Sequence, residues 1–211
     1  MISIRQINKQ NLTRTEKTMG IHPEPTIPEQ ILSLCTELNA LRFGEFTLTS
    51  GLKSSYYFDG RLLTLSPRGS DLVASALLPA IRASGAVAVG GPAVAAVPMV
   101  TALAMLSGQD GKGPIDGFFV RKESKDYGMG KAIEGPLGSG SKVAIVDDAC
   151  STAGSLYMAI KAVEAEGHEV VLVGSILDRA QGGSEKLRRD GYSFFTVLAA
   201  DQDGNVSPAT N

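Results

Sequence analysis

Long apolar runs are missing from this chain of 211 residues. No stretch reaches the roughly 18 residues that a membrane-spanning helix needs, so a soluble globular protein is expected and no membrane partner. Cysteine is scarce: Cys35 and Cys150 are too few for a disulfide framework, and the first residues lack the apolar core of a secretory signal, so a reducing, cytoplasmic setting is expected. Excess charge of either sign is absent. The 20 Lys and Arg against 22 Asp and Glu leave a net charge of -2, which gives no basic field to hold nucleic acid, so any anion site must be local. Internal repeats and low-complexity tracts are absent as well. What is present is a core-sized apolar fraction, 43% against 20% charged, in a length that suits one domain and leaves no room for a second enzyme domain. Glycine is abundant: 24 residues, about 11% of the chain by division, against a usual level near 7%.

Residues 1 to 25 are polar and end in His22-Pro23-Glu24-Pro25, without the period needed to bury a face, so a flexible N-terminal arm is expected and residues 26 to 211 form a single domain. From Pro28 the residues Ile31, Leu32, Leu34, Cys35, Leu38 and Leu41 recur at helical spacing. Phe46 to Ser50 and Tyr56 to Phe58, with Gly51 between them, read as two short strands of a small β-lobe. Beyond Gly69 helices and strands alternate. A helix over 71–83 precedes a strand over 86–89, and a second helix ending near Ser107 precedes Phe118 to Val120. Pro79 and Pro98 predict kinks or breaks in these two helices. A strand over 143–146, a helix from about 155 to 166, a strand over 170–177, a short helix around Lys186 and a strand over 194–198 complete the series. Nearly all-apolar strands alternating with helices imply an α/β doubly wound parallel sheet covered on both faces.

The segment Lys142-Val143-Ala144-Ile145-Val146-Asp147-Asp148-Ala149-Cys150-Ser151-Thr152-Ala153-Gly154-Ser155 runs from a buried strand through two carboxylates into a small-residue turn and then a helix. Ligands of open α/β sheets bind beyond the carboxyl ends of the strands, which is where this turn falls. Backbone N–H groups at a helix start, with the hydroxyls of Ser151, Thr152 and Ser155, suit a phosphate. The segment is neither a Walker A loop nor a Gly-x-Gly-x-x-Gly turn, which lowers nucleotide triphosphatase and dehydrogenase readings. Neighbouring strand residues point to opposite faces, so Asp147 and Asp148 are not expected to grip one metal ion together. Sugar hydroxyls suit them better.

An apolar run, two acids and a hydroxyl-rich turn resemble the phosphoribosyl-diphosphate motif of type I phosphoribosyltransferases. That resemblance implies that Asp147 and Asp148 hold the ribose hydroxyls, and that Ser151, Thr152, Ala153, Gly154 and Ser155 cradle the 5-phosphate. Ala153 stands where the family commonly has glycine.

A second segment, Val120-Arg121-Lys122-Glu123-Ser124-Lys125-Asp126-Tyr127-Gly128-Met129-Gly130-Lys131-Ala132-Ile133-Glu134-Gly135, starts at a strand end and follows neither hydrophobic period. Arg121, Lys122 and Lys125 within five residues, with Gly128 and Gly130 beyond them, read as a mobile, anion-clamping lid. Its Arg-Lys-x-x-Lys-Asp pattern resembles the catalytic loop of orotate phosphoribosyltransferases, with Tyr127 where that family commonly has histidine. A phenol still donates a hydrogen bond, and the histidines of this chain are His22 and His168.

Phe46-Thr47-Leu48-Thr49-Ser50-Gly51-Leu52-Lys53-Ser54-Ser55-Tyr56-Tyr57-Phe58-Asp59 resembles the same family's hood, which implies that Tyr57 and Phe58 cover the orotate ring. Some members carry lysine at the position of Thr49, and Lys53 is the candidate to supply that charge. Arg179 matches the family arginine that contacts orotate, and its planar fork suits a carboxylate. Gly90-Gly91-Pro92-Ala93-Val94-Ala95-Ala96-Val97-Pro98 resembles the diphosphate loop, with Ala95 where relatives often have lysine, so backbone donors are expected to suffice.

The resemblance spans roughly residues 40 to 180 in four motifs in the family order. It implies the type I phosphoribosyltransferase fold with a small N-terminal hood lobe, and phosphoribosyl transfer to orotate. Mg2+ would be carried mainly by the diphosphate and water, with no metal ligand directly assigned. It also implies a homodimer in which Lys122 serves its own site while Arg121 and Lys125 reach the neighbour's. The rival readings are a phosphoribosyltransferase for another base and a non-catalytic regulator that binds phosphoribosyl diphosphate. The latter should lack the lid cations and show a basic face.

Overall fold

The structure, a computed structural model, describes residues 24–47, 53–122 and 132–211. The expected arm, apart from Glu24 and Pro25, lies outside the described residues, as do Thr49, Lys125 and Tyr127.

Helix α1 spans Ile27–Glu37 with a proline in its first turn. Glu29 reaches back to accept from the Thr26 backbone N–H at 2.7 Å and from its hydroxyl at 2.8 Å, which satisfies a donor that the helix start leaves unpaired. Leu41 departs from the expected helical stripe, because the helix stops before Asn39, whose φ of 55° turns the chain. Leu41 opens strand β1 (Leu41–Thr47), which pairs antiparallel with β2 (Lys53–Phe58) as a separate two-stranded sheet. This is the predicted small lobe.

Helix α2 (Gly60–Thr64) is capped by Asp59, and α3 (Pro67–Ala83) by Ser66, whose hydroxyl accepts from Gly69 N at 3.0 Å. Neither expected proline break is realised. Helix α3 continues through Pro79. Pro98 falls in the first turn of α4 (Ala96–Gln109), where the missing N–H would have had no intrahelical partner.

The main sheet has seven strands in the order β5-β4-β3-β6-β7-β8-β9. These are β3 (Ala88–Pro92), β4 (Asp116–Val120), β5 (Ile133–Glu134), β6 (Lys142–Cys150), β7 (Glu169–Asp178), β8 (Phe194–Ala200) and β9 (Val206–Pro208). The five strands from β4 to β8 in this lateral order are mutually parallel, as the alternation predicted, while the short edge strands β5 and β9 are antiparallel additions. Edge strands of two and three residues carry too little pattern to be read from sequence. Helices α5 (Gly154–Ala165) and α6 (Gly183–Arg189) complete the fold.

Alternate residues of β6 feed two apolar layers. Ala144 and Val146 pack with the α1, α3 and α4 residues on one face, and Val143 and Ile145 pack with α5 and Leu187 of α6 on the other. Cys35 lies in the first layer and Cys150 in the second, and both are free thiols. The chain leaves β3 toward β4 and returns to β6 on β3's other side. That reversal opens a crevice beyond the carboxyl ends of β3 and β6, the place where doubly wound sheets bind ligands.

Candidate active site

A cavity of about 510 Å³ opens at that reversal. Its floor is Asp147, Asp148 and Ala149 at the end of β6, one wall is Pro92 to Ala95 after β3, and Ser155, Lys122 and Arg61 complete it. All of these segments except Arg61 belong to the motifs that the sequence assigns to the site. Gly91 keeps β3 and β6 close, since a side chain there would run into the Val146 carbonyl and Ala96 Cβ.

The two acids diverge, as strand geometry requires. Asp147 is buried on the α5 side, where its Oδ2 accepts from Ser155 Oγ at 2.6 Å and its Oδ1 from Asp148 N at 3.0 Å. Asp148 turns toward the hood, and a Cβ placed on Gly60 would stand 2.5 Å from Asp148 Cβ. Burial and the Asp148 carboxylate push the Asp147 pKa well above the usual range, against the Ser155 hydrogen bond. Burial and Asp59 likewise push Asp148 up, with Arg61 opposing. These groups are costly to ionise until something in the cavity takes up their charge.

Beyond β6 the turn is clasped from behind. Arg179 N donates to the Cys150 carbonyl at 2.8 Å and Gly183 N to the Ser151 carbonyl at 3.0 Å. A side chain on Gly183 would approach the Ser151 carbonyl to 2.5 Å and Ala153 N to 2.8 Å. Ala153, at the N-cap of α5, has φ 61° and ψ 17° and no side-chain cap bond. This left-handed conformation is the one glycine adopts without steric cost, which accounts for the family preference there. Thr152 and Gly154 are exposed and Ser151 is half-buried, while Ser155 alone of the turn residues lines the cavity.

Of the cations in the second segment, Arg121 and Lys122 are among the described residues, and both border the hollow beside the cavity, with Ala93 and Val94. Lys122 also lines the cavity, whereas Arg121 points its Nη1 at Glu134 Oε1, 3.2 Å away. On the base side, Arg179 lies away from the cavity lining. Its Nη2 donates to Ser54 Oγ at 3.2 Å, its guanidinium sits 4.7 Å over the Tyr56 ring, and its buried Nε has no partner among the described residues. An ion pair of Arg179 with Asp178 or Glu185 does not form among the described residues, and Asp178 Oδ1 instead accepts from Ala180 N. Tyr57 stacks at 5.8 Å from Phe46 and lies under Arg42. Phe58 is buried in the core, and Lys53 is exposed at the start of β2. Arg61 was missed because its neighbours read only as the end of an aromatic strand. The Asp59-Gly60-Arg61 run that starts a short helix was the available signal.

No family model matches the chain. It is 43% identical over 178 residues to an orotate phosphoribosyltransferase of Rhodopirellula baltica, covering 82% of this chain and 91% of that protein. To that of Methanopyrus kandleri it is 37% identical over 173 residues, covering 82% and 90%. Among solved structures, the orotate phosphoribosyltransferase of Mycobacterium tuberculosis H37Rv aligns with a TM-score of 0.72 at 33% identity, over 82% of this chain and 97% of that one. The same relative solved in complex with 5-phospho-alpha-D-ribosyl 1-diphosphate aligns with a TM-score of 0.67 at 32% identity, covering 82% and 96%.

Proposed function

The chain belongs to the orotate phosphoribosyltransferase family, and from that membership we infer its reaction: the 5-phosphoribosyl group passes from phosphoribosyl diphosphate to orotate, giving orotidine 5'-monophosphate and diphosphate in pyrimidine biosynthesis. The observation that carries this reading is the cavity at the sheet reversal, where two diverging acids, buried Asp147 and half-buried Asp148, meet Ser155 and Lys122.

Each part of the site has a task. The Ser151 to Ser155 turn takes the 5-phosphate through hydroxyls and backbone N–H groups, and Asp147 and Asp148 accept from the ribose hydroxyls. Displacement at the anomeric carbon passes through a cation-like sugar, so the protein must position the reactants and balance charge, with no nucleophile of its own. Lys122 and the backbone of Pro92 to Ala95 face the leaving diphosphate. Arg121 and Lys125 come from the neighbouring subunit of a homodimer, with Tyr127 as a hydrogen-bond donor in place of histidine. Tyr57 and Phe58 form the hood over orotate, Lys53 supplies charge beside it, and Arg179 meets its carboxylate. The buried Arg179 Nε, without a partner among the described residues, is a donor suited to that anion once the base site is filled.

Among the described residues no group of three His, Cys, Asp or Glu side chains could hold a metal ion. Mg2+ would keep several waters and be carried largely by the substrate phosphates, with no protein ligand directly assigned. When bound it neutralises charge on the departing diphosphate. We take residues 26 to 211 as one catalytic domain with 1 to 25 as an arm, in a cytoplasmic enzyme. No helix among the described residues is long and apolar enough to cross a membrane.

A panel of orotate, uracil and adenine with phosphoribosyl diphosphate and Mg2+, followed by loss of orotate absorbance, tests the substrate. Consumption of orotate alone is expected, and turnover of adenine or uracil without orotate would overturn the assignment. Mixing Lys125→Ala chains with Asp148→Ala chains should restore part of the activity lost in each, and absence of rescue refutes shared sites.

A further inference from the structure

Arg61 lies on the cavity wall and is held there from one side. Its Nε donates to Asp59 Oδ1 at 2.8 Å and its Nη2 to Asp59 Oδ2 at 2.9 Å. Asp59 Oδ1 also accepts from the Arg61 backbone N–H at 3.1 Å, which caps α2. A guanidinium carries five N–H donors. The clamp uses one on Nε and one on Nη2, and the remaining donors have no partner among the described residues. Gly60, the residue between clamp and cation, abuts Asp148, so the fork is fixed beside the second acid.

Charge in the cavity is uneven. Of the described residues that line it, Lys122 is the other cation, and Pro92 to Ala95 bring none. The 5-phosphate has its own donors on the turn before α5. A diphosphate carries more negative charge than one lysine neutralises, and a planar fork offers phosphate oxygens two parallel hydrogen bonds.

We propose that Arg61 binds the diphosphate group of the sugar substrate with its free N–H donors, and that Asp59 is the positioning residue that aims it. This rests on the phosphoribosyl-diphosphate reading above.

Calorimetry on the full chain with Mg2+ tests it, using phosphoribosyl diphosphate, inorganic diphosphate and ribose 5-phosphate against wild type, Arg61→Gln and Arg61→Lys. Arg61→Gln should weaken both diphosphate-bearing ligands about tenfold or more, raise KM for phosphoribosyl diphosphate, and leave ribose 5-phosphate within about twofold of wild type. Arg61→Lys should show a smaller loss confined to the same two ligands, and it carries the test alone if Arg61→Gln does not fold. Equal weakening of ribose 5-phosphate would overturn the proposal in favour of a general shaping role, and unchanged affinity for all three ligands would overturn it outright. Failure of the wild-type chain to bind phosphoribosyl diphosphate is a different result, because it removes the underlying reading first.

Discussion

The turn side of the cavity and the hood side are held in place differently. On the turn side Asp147, Ala153 and Leu156 are buried, and the turn is fastened from behind by Arg179 and Gly183. On the hood side most of β1 is exposed, Phe43 is 61% accessible, and Arg42 spans Phe46 and Tyr57 at the surface. The turn side therefore carries a buried carboxyl with a raised pKa, whereas the hood side pairs its charges, as Asp59 does with Arg61. Preformed geometry at the sugar end costs stability in the free protein, and the hood adds comparatively little to the core.

The largest expected effect removes the close approach that shapes the turn side. Gly91→Ala forces β3 away from the Val146 carbonyl and should cost ~3 kcal/mol, lowering the thermal midpoint by roughly 6 to 12 °C. A fall below about 2 °C would show that this side yields as readily as the hood.

Next in size is the buried acid. The Asp147 pKa is raised in the folded chain, so between the unfolded value near 4 and the folded one the native state binds a proton that the unfolded chain releases. That contribution is complete below the unfolded pKa and disappears as pH rises through the folded pKa. Melting of the unliganded protein should therefore weaken from pH 5 to pH 8. Asp147→Asn should flatten that slope by ~2 kcal/mol at pH 8 while lowering turnover roughly a hundredfold. An unchanged slope would mean that the carboxylate is already ionised at pH 5.

A subtler comparison concerns the left-handed residue. Ala153→Gly relieves ~1 kcal/mol of backbone cost, but it loses a buried methyl and adds unfolded-chain freedom of similar size, so stability should stay within about 0.5 kcal/mol. Ala153→Val, branched where φ is positive, should cost ~2 kcal/mol by denaturant titration. The smallest effect belongs to the hood surface: Arg42→Ala should cost no more than ~1 kcal/mol, and a larger loss would mean that the lobe depends on that contact.

Much of this was legible from composition and order. The apolar run from Val143 to Val146 followed by two acids identified both the central strand and the floor of the cavity, because burial on both faces leaves an unbroken hydrophobic pattern. The proline breaks failed for a local reason, since Pro98 sits where no hydrogen bond is lost and α3 accommodates Pro79. Strand β3 reads too early in sequence, over 86–89 where the structure has Ala88–Pro92, because Gly90, Gly91 and Pro92 look like a turn, yet they pair with β4. The Asp59-Gly60-Arg61 run marks a helix start but not a site, because the place of Arg61 depends on a fold-back that brings α2 beside the end of β6, a contact between distant residues.

The two thiols offer a way to watch the layers separately. Burial pushes both Cys35 and Cys150 up to about 12, so at neutral pH the reactive thiolate is on the order of one molecule in 100,000. An alkylating reagent then modifies each sulfur only when its own layer opens. The relative labelling rates of Cys35 and Cys150 would time the breathing of the two faces of the sheet within one native chain.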